Sequence, residues 1–430
     1  MRVTRLAAAA CTTAALALGV AACGGGGGGG SSTKSISGNT LTIYASVPLQ
    51  GASGGQGKAI ENGAQLAVDQ IGGKIGKFKV NYVRLDDSLA STGAADEGKA
   101  AQNARKAVSD KTAVGYVGEY NSGISKVTIP ILNQGGIAQV SPANTYAGLT
   151  TKKVPGTEPG EPDKYYPTGK RTYARVPPID TVQAAALLLQ MKADGCTSVH
   201  VWNSKTTYSA GLARDIQIEA PKTGIKVEGN DGYDPKAANY RSLAAKVKAD
   251  CFLNTGEIES NANQGLKDVA ATHPTVKLYE SDGDCLNASA DPSKGVPPNI
   301  APRFKCTIAT LDPKSFGPEG KKFFSDFKAK YKEKSPDPYS IYGYESMKLL
   351  LDSAKRASNN GAKSISRQDV VNQLFKTKNR SSVLGTYSLD SEGDSSITKY
   401  GLYKIVGKTL TFDRAIDTKP LLPNGAKVLK

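Results

Sequence analysis

Residues 41–73 open with Leu41-Thr-Ile-Tyr-Ala-Ser-Val47 and pass through a glycine-rich turn, Gly51 to Gly57. They continue with Ile60, Ala64, Ala67, Val68 and Ile71, spaced along one helical face, and stop at Gly72-Gly73. The first run is rich in β-branched and aromatic residues and reads as a strand. The second reads as a helix with a glycine stop. The unit then repeats. A strand over 80–85 ends in Asp86-Asp87, a helix is expected over 94–108 and a strand over 114–117. A helix over 125–133 is expected despite Pro130, followed by a strand over 137–141. Strands alternating with crossover helices imply a parallel sheet covered on both faces.

Residues 152–171 break the rhythm with Pro155, Pro159, Pro162 and Pro167, and read as a surface excursion. The pattern then restarts: helix 181–191, strand 199–202, helix 212–220, strand 225–229, helix 239–248, strand 251–254, helix 261–271 and strand 276–280. Tail helices are expected over 318–331, 341–357 and 368–375. A hairpin-like finish pairs 384–389 with 400–406, with Gly393 and Asp394 in its turn. The fold class is therefore α/β, with two doubly wound parallel-sheet lobes. Such sheets leave a cleft at the carboxyl ends of their strands, and two lobes can close on a ligand there.

The 430 residues, 39% hydrophobic and 22% charged, suit two or three lobes and exclude a disordered chain or a polytopic membrane protein. With only His200 and His273, a multi-histidine metal site is impossible; His200 lies within a strand and reads as structural. The glycines 51, 54, 55 and 57 do not give the Gly-x-Gly-x-x-Gly spacing of a dinucleotide site. No cofactor, metal or catalytic set is expected, and the enzyme reading is rejected.

Arg2 and Arg5 precede a short apolar run, 6–20, that is too short to span a bilayer. It ends in Val20-Ala21-Ala22-Cys23, which looks like a bacterial lipobox, with 1–22 as signal peptide and Cys23 acylated; an ordinary signal peptide cut near Ala22 is the alternative. Gly24–Gly30 then lie within a tether, 23–38. The chain is expected outside the cytoplasm, lipid-anchored to the outer face of the bacterial cytoplasmic membrane. Export leaves Cys196, Cys251, Cys285 and Cys306, hence two disulfides with three possible connectivities. The net charge of +16 falls to +14 once Arg2 and Arg5 are removed. Its densest lysines, Lys321, Lys322, Lys328, Lys330, Lys332 and Lys334, surround Phe323, Phe324, Phe327 and Tyr331 at helical spacing and read as a solvated amphipathic face. Nucleic acid is not an expected partner.

Several segments carry a resemblance: Pro48-Leu-Gln-Gly-Ala-Ser-Gly54, Glu61-Asn-Gly-Ala-Gln-Leu-Ala67, Leu85-Asp86-Asp87, Gly118-Glu-Tyr-Asn-Ser122, Ile137-Ala-Gln-Val-Ser-Pro-Ala-Asn-Thr145 and Tyr208-Ser-Ala-Gly-Leu-Ala-Arg214. Over roughly residues 40–410 the chain resembles the type I periplasmic binding fold. Within that fold it is similar to the leucine/isoleucine/valine-binding proteins of ABC transporters. The resemblance implies lobes 39–175 with 313–385 and 176–312 with 386–430, joined by a three-strand hinge. It implies a monomer that holds an amino acid or analogue and hands it to the transmembrane permease subunits. A ligand-sensing receptor of the same fold is the alternative. By residue, it implies that Ser122 and Thr145 meet the carboxylate, that the Ala143 carbonyl and Asp282 meet the ammonium, and that Tyr208 caps the ligand. Glu257 and Gln56 stand where the family commonly has aromatics and make the side-chain end of the pocket polar. Ser122 and Thr145 as plain helix caps, and Asp282 beside Gly283 as a plain turn, are the structural alternatives. In this fold the pairs Cys196–Cys251 and Cys285–Cys306 are the expected disulfides.

Overall fold

The computed structural model describes residues 35–333 and 336–419. The expected signal peptide 1–22, the expected lipidation site Cys23 and the expected tether as far as residue 34 lie outside the described residues, as does Lys334. The last residues of the tether are part of the fold. Ser35 bridges Ser366, the Ile36 amide donates to the Ile365 carbonyl at 2.7 Å, and the Ile36 side chain is buried.

The strands are β1 (Thr40–Val47), β2 (Lys74–Ile75), β3 (Phe78–Asp86), β4 (Ala113–Val117), β5 (Ala138–Ser141), β6 (Tyr173–Arg175), β7 (Ser198–Asn203), β8 (Lys226–Gly232), β9 (Cys251–Asn254), β10 (Lys277–Glu280), β11 (Phe304–Ile308), β12 (Arg380–Ser382), β13 (Gly385–Tyr387), β14 (Lys399–Val406) and β15 (Thr409–Asp417). The helices that matter below are α1 (Gly54–Gln70), α2 (Glu97–Ser109), α3 (Ser122–Gln134), α4 (Asp180–Ala193), α5 (Thr207–Glu219), α6 (Arg241–Ala244), α7 (Ala262–Thr272), α8 (Pro318–Tyr331), α9 (Ser340–Ala357) and α10 (Arg367–Phe375).

The first sheet has the order β2-β3-β1-β4-β5-β6, parallel from β3 to β6. The second has the order β15-β14-β11-β10-β9-β7-β8, parallel from β11 to β8. Each parallel set is wound second, first, third, fourth, fifth. The strand order therefore reverses beside β1 and β7, and ligands favour the crevice at the carboxyl ends of the strands at such a point. The chain passes between the sheets three times: after β6, after β11 and after β13. Helix α9 packs along α1 on the first sheet's side.

Three expectations are corrected. The hairpin between 384–389 and 400–406 does not form. β13 pairs with β12, and β14 pairs with β11 and β15. The turn at Gly393-Asp394 is instead the third passage between sheets. Alternating patterns fix which face a strand buries, not which strand it finds. The helix over 239–248 shrinks to α6. Residues 152–171 are not a loose excursion: Tyr165 and Tyr166 are buried in a cluster with Ile129, Tyr146, Leu149 and Tyr173. Buried Glu161 anchors that segment, accepting from Tyr146 and Tyr165 hydroxyls at 2.6 Å each. The lysine-rich helix α8 is amphipathic as read, with Phe323 and Phe327 buried and Lys321 and Lys322 exposed.

Both disulfides form with the expected pairing. Cys196–Cys251 has a Cα–Cα separation of 6.0 Å and ties the approach to β7 to the start of β9. Cys285–Cys306, at 5.6 Å, staples the loop after β10 to β11. His200 is structural, with Nε2 2.8 Å from Asp231.

Candidate functional site

One pocket of about 330 Å³ lies between the sheets, lined by Tyr120, Asn121, Ser122, Ala143, Thr145, Tyr208, Glu257, Asp282, Gly283 and Tyr339. The loop after β4 brings Tyr120, Asn121 and Ser122, and the loop after β5 brings Ala143 and Thr145. Tyr208 comes from the first turn of α5, Glu257 from the loop after β9, and Asp282 and Gly283 from the loop after β10. Every one of these segments leaves the carboxyl end of a parallel strand. Tyr339 arrives differently, from the residue that caps α9.

The two first-lobe loops are locked to each other. Asn144 Nδ2 donates to the Glu119 and Tyr120 carbonyls at 3.1 and 2.8 Å, and Ser141 Oγ donates to the Glu119 carbonyl at 2.8 Å. Ser122 and Thr145 are thereby held side by side, both buried. Ser122 begins α3, where unpaired amides and the helix dipole favour an anion. Its hydroxyl oxygen accepts the Tyr146 amide at 3.4 Å and keeps its proton free to donate.

Asp282 is the centre of the opposite wall. The Tyr208 hydroxyl donates to one carboxylate oxygen at 2.5 Å, and the Tyr339 hydroxyl donates to the other. One tyrosine belongs to α5 and the other to the α9 side, so Asp282 is gripped from both sides of the cleft. Burial raises its carboxyl above the ordinary aspartate range, against the two phenols. Glu257 sits in a nest of hydroxyls: Ser204 at 2.7 Å, Thr206 at 2.6 Å and Ser260 at 3.2 Å. Burial, then the charge of Glu259, pushes it up to about 7. Asp180, buried behind Thr145, is raised to about 8 by burial and then by Asp282.

The cleft is shut by cross-contacts. Glu259 accepts from Ser53 Oγ and from Asn121 Nδ2, both at 2.6 Å. Arg214 of α5 donates to the Gly156 carbonyl at 2.8 Å, and Lys126 reaches Thr207 Oγ1 at 3.2 Å.

Six of the residues singled out from sequence, Ser122, Ala143, Thr145, Tyr208, Glu257 and Asp282, thus line one pocket. Gln56 does not. It is buried in the first turn of α1 and its amide has no partner among the described residues. The residue of that turn that crosses the cleft is Ser53. Tyr120, Asn121, Gly283 and Tyr339 were missed. The first three adjoin residues that were read. Tyr339 follows Asp282 by 57 positions and no local pattern marks it.

Two wound lobes closed on a pocket of hydroxyls, helix amides and a tyrosine-held carboxylate define a two-lobed solute-binding protein rather than an enzyme. The chain belongs to the family described as periplasmic binding protein, which it matches over residues 40–409. Leu/Ile/Val-binding protein homolog 2 of Brucella abortus is 24% identical over 372 residues, covering 85% of this chain and 90% of that protein. The leucine-binding protein LivK of Thermotoga maritima superposes with a TM-score of 0.71 at 23% identity, over 88% of this chain and 99% of its own. LivJ of Streptococcus pneumoniae, solved with isoleucine, gives 0.69 at 18% identity, over 87% and 98%. A Rhodopseudomonas palustris binding protein solved with benzoate gives 0.69 at 18%, over 87% and 96%. These structures share the fold, and among them the ligands range from a neutral zwitterion to an anion. No helix among the described residues is long and apolar enough to cross a membrane.

Proposed function

We propose that this chain is the extracytoplasmic solute-binding lipoprotein of an ABC importer. It holds an amino acid or similar small polar zwitterion between its lobes and delivers it to a permease. The lobes are residues 39–175 with 313–385 and 176–312 with 386–430, a division supported by which strands share a sheet. The ligand's carboxylate meets the Ser122 and Thr145 hydroxyls at the start of α3, and its ammonium meets Asp282 and the Ala143 carbonyl. Tyr208 closes over it. A buried zwitterion loses hydration worth several kcal/mol per charge unless each charge gains directed partners, roughly the supply this pocket offers.

The observation that carries this reading is the grip on Asp282. A carboxylate held by tyrosines from both sides of a closed cleft, opposite a helix N-terminus, suits a dipolar solute and no reaction. Cys23 carries the lipid anchor, the tether sets the reach, and a single copy works alone. Thermal unfolding against a panel of amino acids, amides and small carboxylates tests the reading. A ligand at 100 times its Kd adds about 2.7 kcal/mol of stability, and Ser122→Ala with Thr145→Val abolishes the gain. If no compound raises the melting temperature, the reading fails. Cys23→Ser moves the protein from the membrane fraction to the soluble one; retention on the membrane contradicts the anchor.

A further inference from the structure

The pocket offers more hydrogen-bond acceptors than one ammonium group can satisfy. Its described lining includes two buried carboxyls, Glu257 and Asp282, and no lysine, arginine or histidine. Behind the lining, Asp180 is buried against Thr145. Arg175, whose charge acts on Asp180, is already committed. It donates to Asp394 at 2.8 Å, to the Tyr146 carbonyl at 2.8 Å and to Thr150 Oγ1 at 2.5 Å. A buried carboxyl without a counter-charge is held toward its protonated form until a cationic partner arrives.

The donors tell the same story. The hydroxyl protons of Tyr208 and Tyr339 are spent on Asp282, and one N–H of Asn121 Nδ2 goes to Glu259. Asn121 Oδ1, an acceptor that cannot ionise, is buried and has no partner among the described residues. Glu257 is surrounded by three hydroxyl donors, an arrangement that favours its charged form. Its Oε1 takes one of these bonds and has capacity for another. The Ser122 hydroxyl, whose proton is free to donate, sits where a ligand carboxylate would lie.

Resting on the proposed amino-acid site, we infer that the ligand carries a second protonated nitrogen, which meets Glu257 and Asn121 Oδ1. Its chemical class is a small diamino acid or an amino acid ending in an amidine-like group. Gly283 keeps the Glu257 end open. A Cβ there would lie 2.7 Å from the Gly256 carbonyl oxygen and 3.1 Å from Glu257 Cγ.

Calorimetric titration of the purified chain with L-ornithine, L-lysine, L-leucine and benzoate at neutral pH tests the inference, with Glu257→Gln in parallel and circular dichroism confirming that each variant is folded. The diamino acids bind at least about tenfold more tightly than leucine, and Glu257→Gln collapses that ratio toward one. If leucine binds as tightly as the diamino acids, or if the preference persists in Glu257→Gln, the inference is overturned and the amino-acid site stands. If folded protein binds no amino compound, both are overturned.

Discussion

Gly283 shows how tightly residue identity is set in the pocket. A side chain there meets backbone at the Gly256 carbonyl and the flank of Tyr208 at 3.1 Å, so Gly283→Ala displaces the Asp282 loop. We expect Gly283→Ala to weaken ligand binding about tenfold or more, read by calorimetry. Asp282→Ala is expected to reduce affinity for amines far more than for simple carboxylates; equal losses would remove Asp282 as the ammonium partner. At this scale the sequence was readable where a site residue follows its own strand closely, as Ser122, Thr145, Glu257 and Asp282 do. It failed where packing decides. Gln56 is turned into the body of α1 while Ser53, three residues earlier, reaches Glu259. Tyr339 enters from a distant helix.

The passages between the sheets rest on Arg175 and Asp394. Arg175 ends β6, Asp394 lies in the third passage, and both are buried. Through its carbonyl bonds Arg175 also steadies the segment around Thr145. Removing one partner leaves an uncompensated buried charge, so Asp394→Ala is expected to cost about 3–5 kcal/mol in denaturant unfolding. Replacing Cys285 and Cys306 together by serine opens a 21-residue loop and is expected to cost about 2–4 kcal/mol. An unchanged denaturation midpoint in either case contradicts the corresponding assignment. The elements themselves were legible because their periodicities are strong from β1 onward. The three-residue strand β6 carries too few residues to show a period. The 152–171 segment was misread because its prolines and charges mask Tyr165, Tyr166 and Glu161, which bury themselves through hydrogen bonds that composition does not reveal.

As a whole, the molecule joins two copies of one winding pattern around an acidic cleft, and that acidity has a pH signature. Asp180 is raised to about 8 and Glu257 to about 7, with Asp284 beneath the cleft raised to about 8, each chiefly by burial. Their folded-state values lie above their unfolded ones, so the stability they contribute is full below about pH 4 and is lost as pH rises through about 7 to 8. The melting temperature of the empty protein is therefore expected to fall between about pH 5 and pH 8. A cationic ligand favours the ionised carboxylates, so binding releases protons. Titration in two buffers of different ionisation enthalpy reads that release, and a binding heat independent of buffer would contradict it.

The most direct test is a crystal structure of the chain soaked or grown with the amino compound that binds it best. The ligand nitrogen is expected within hydrogen-bond distance of Asp282 and the Ala143 carbonyl, and its carboxylate on Ser122 and Thr145. A compound seated in the closed cleft with those four groups turned away from it would contradict the account, however well the lobes matched.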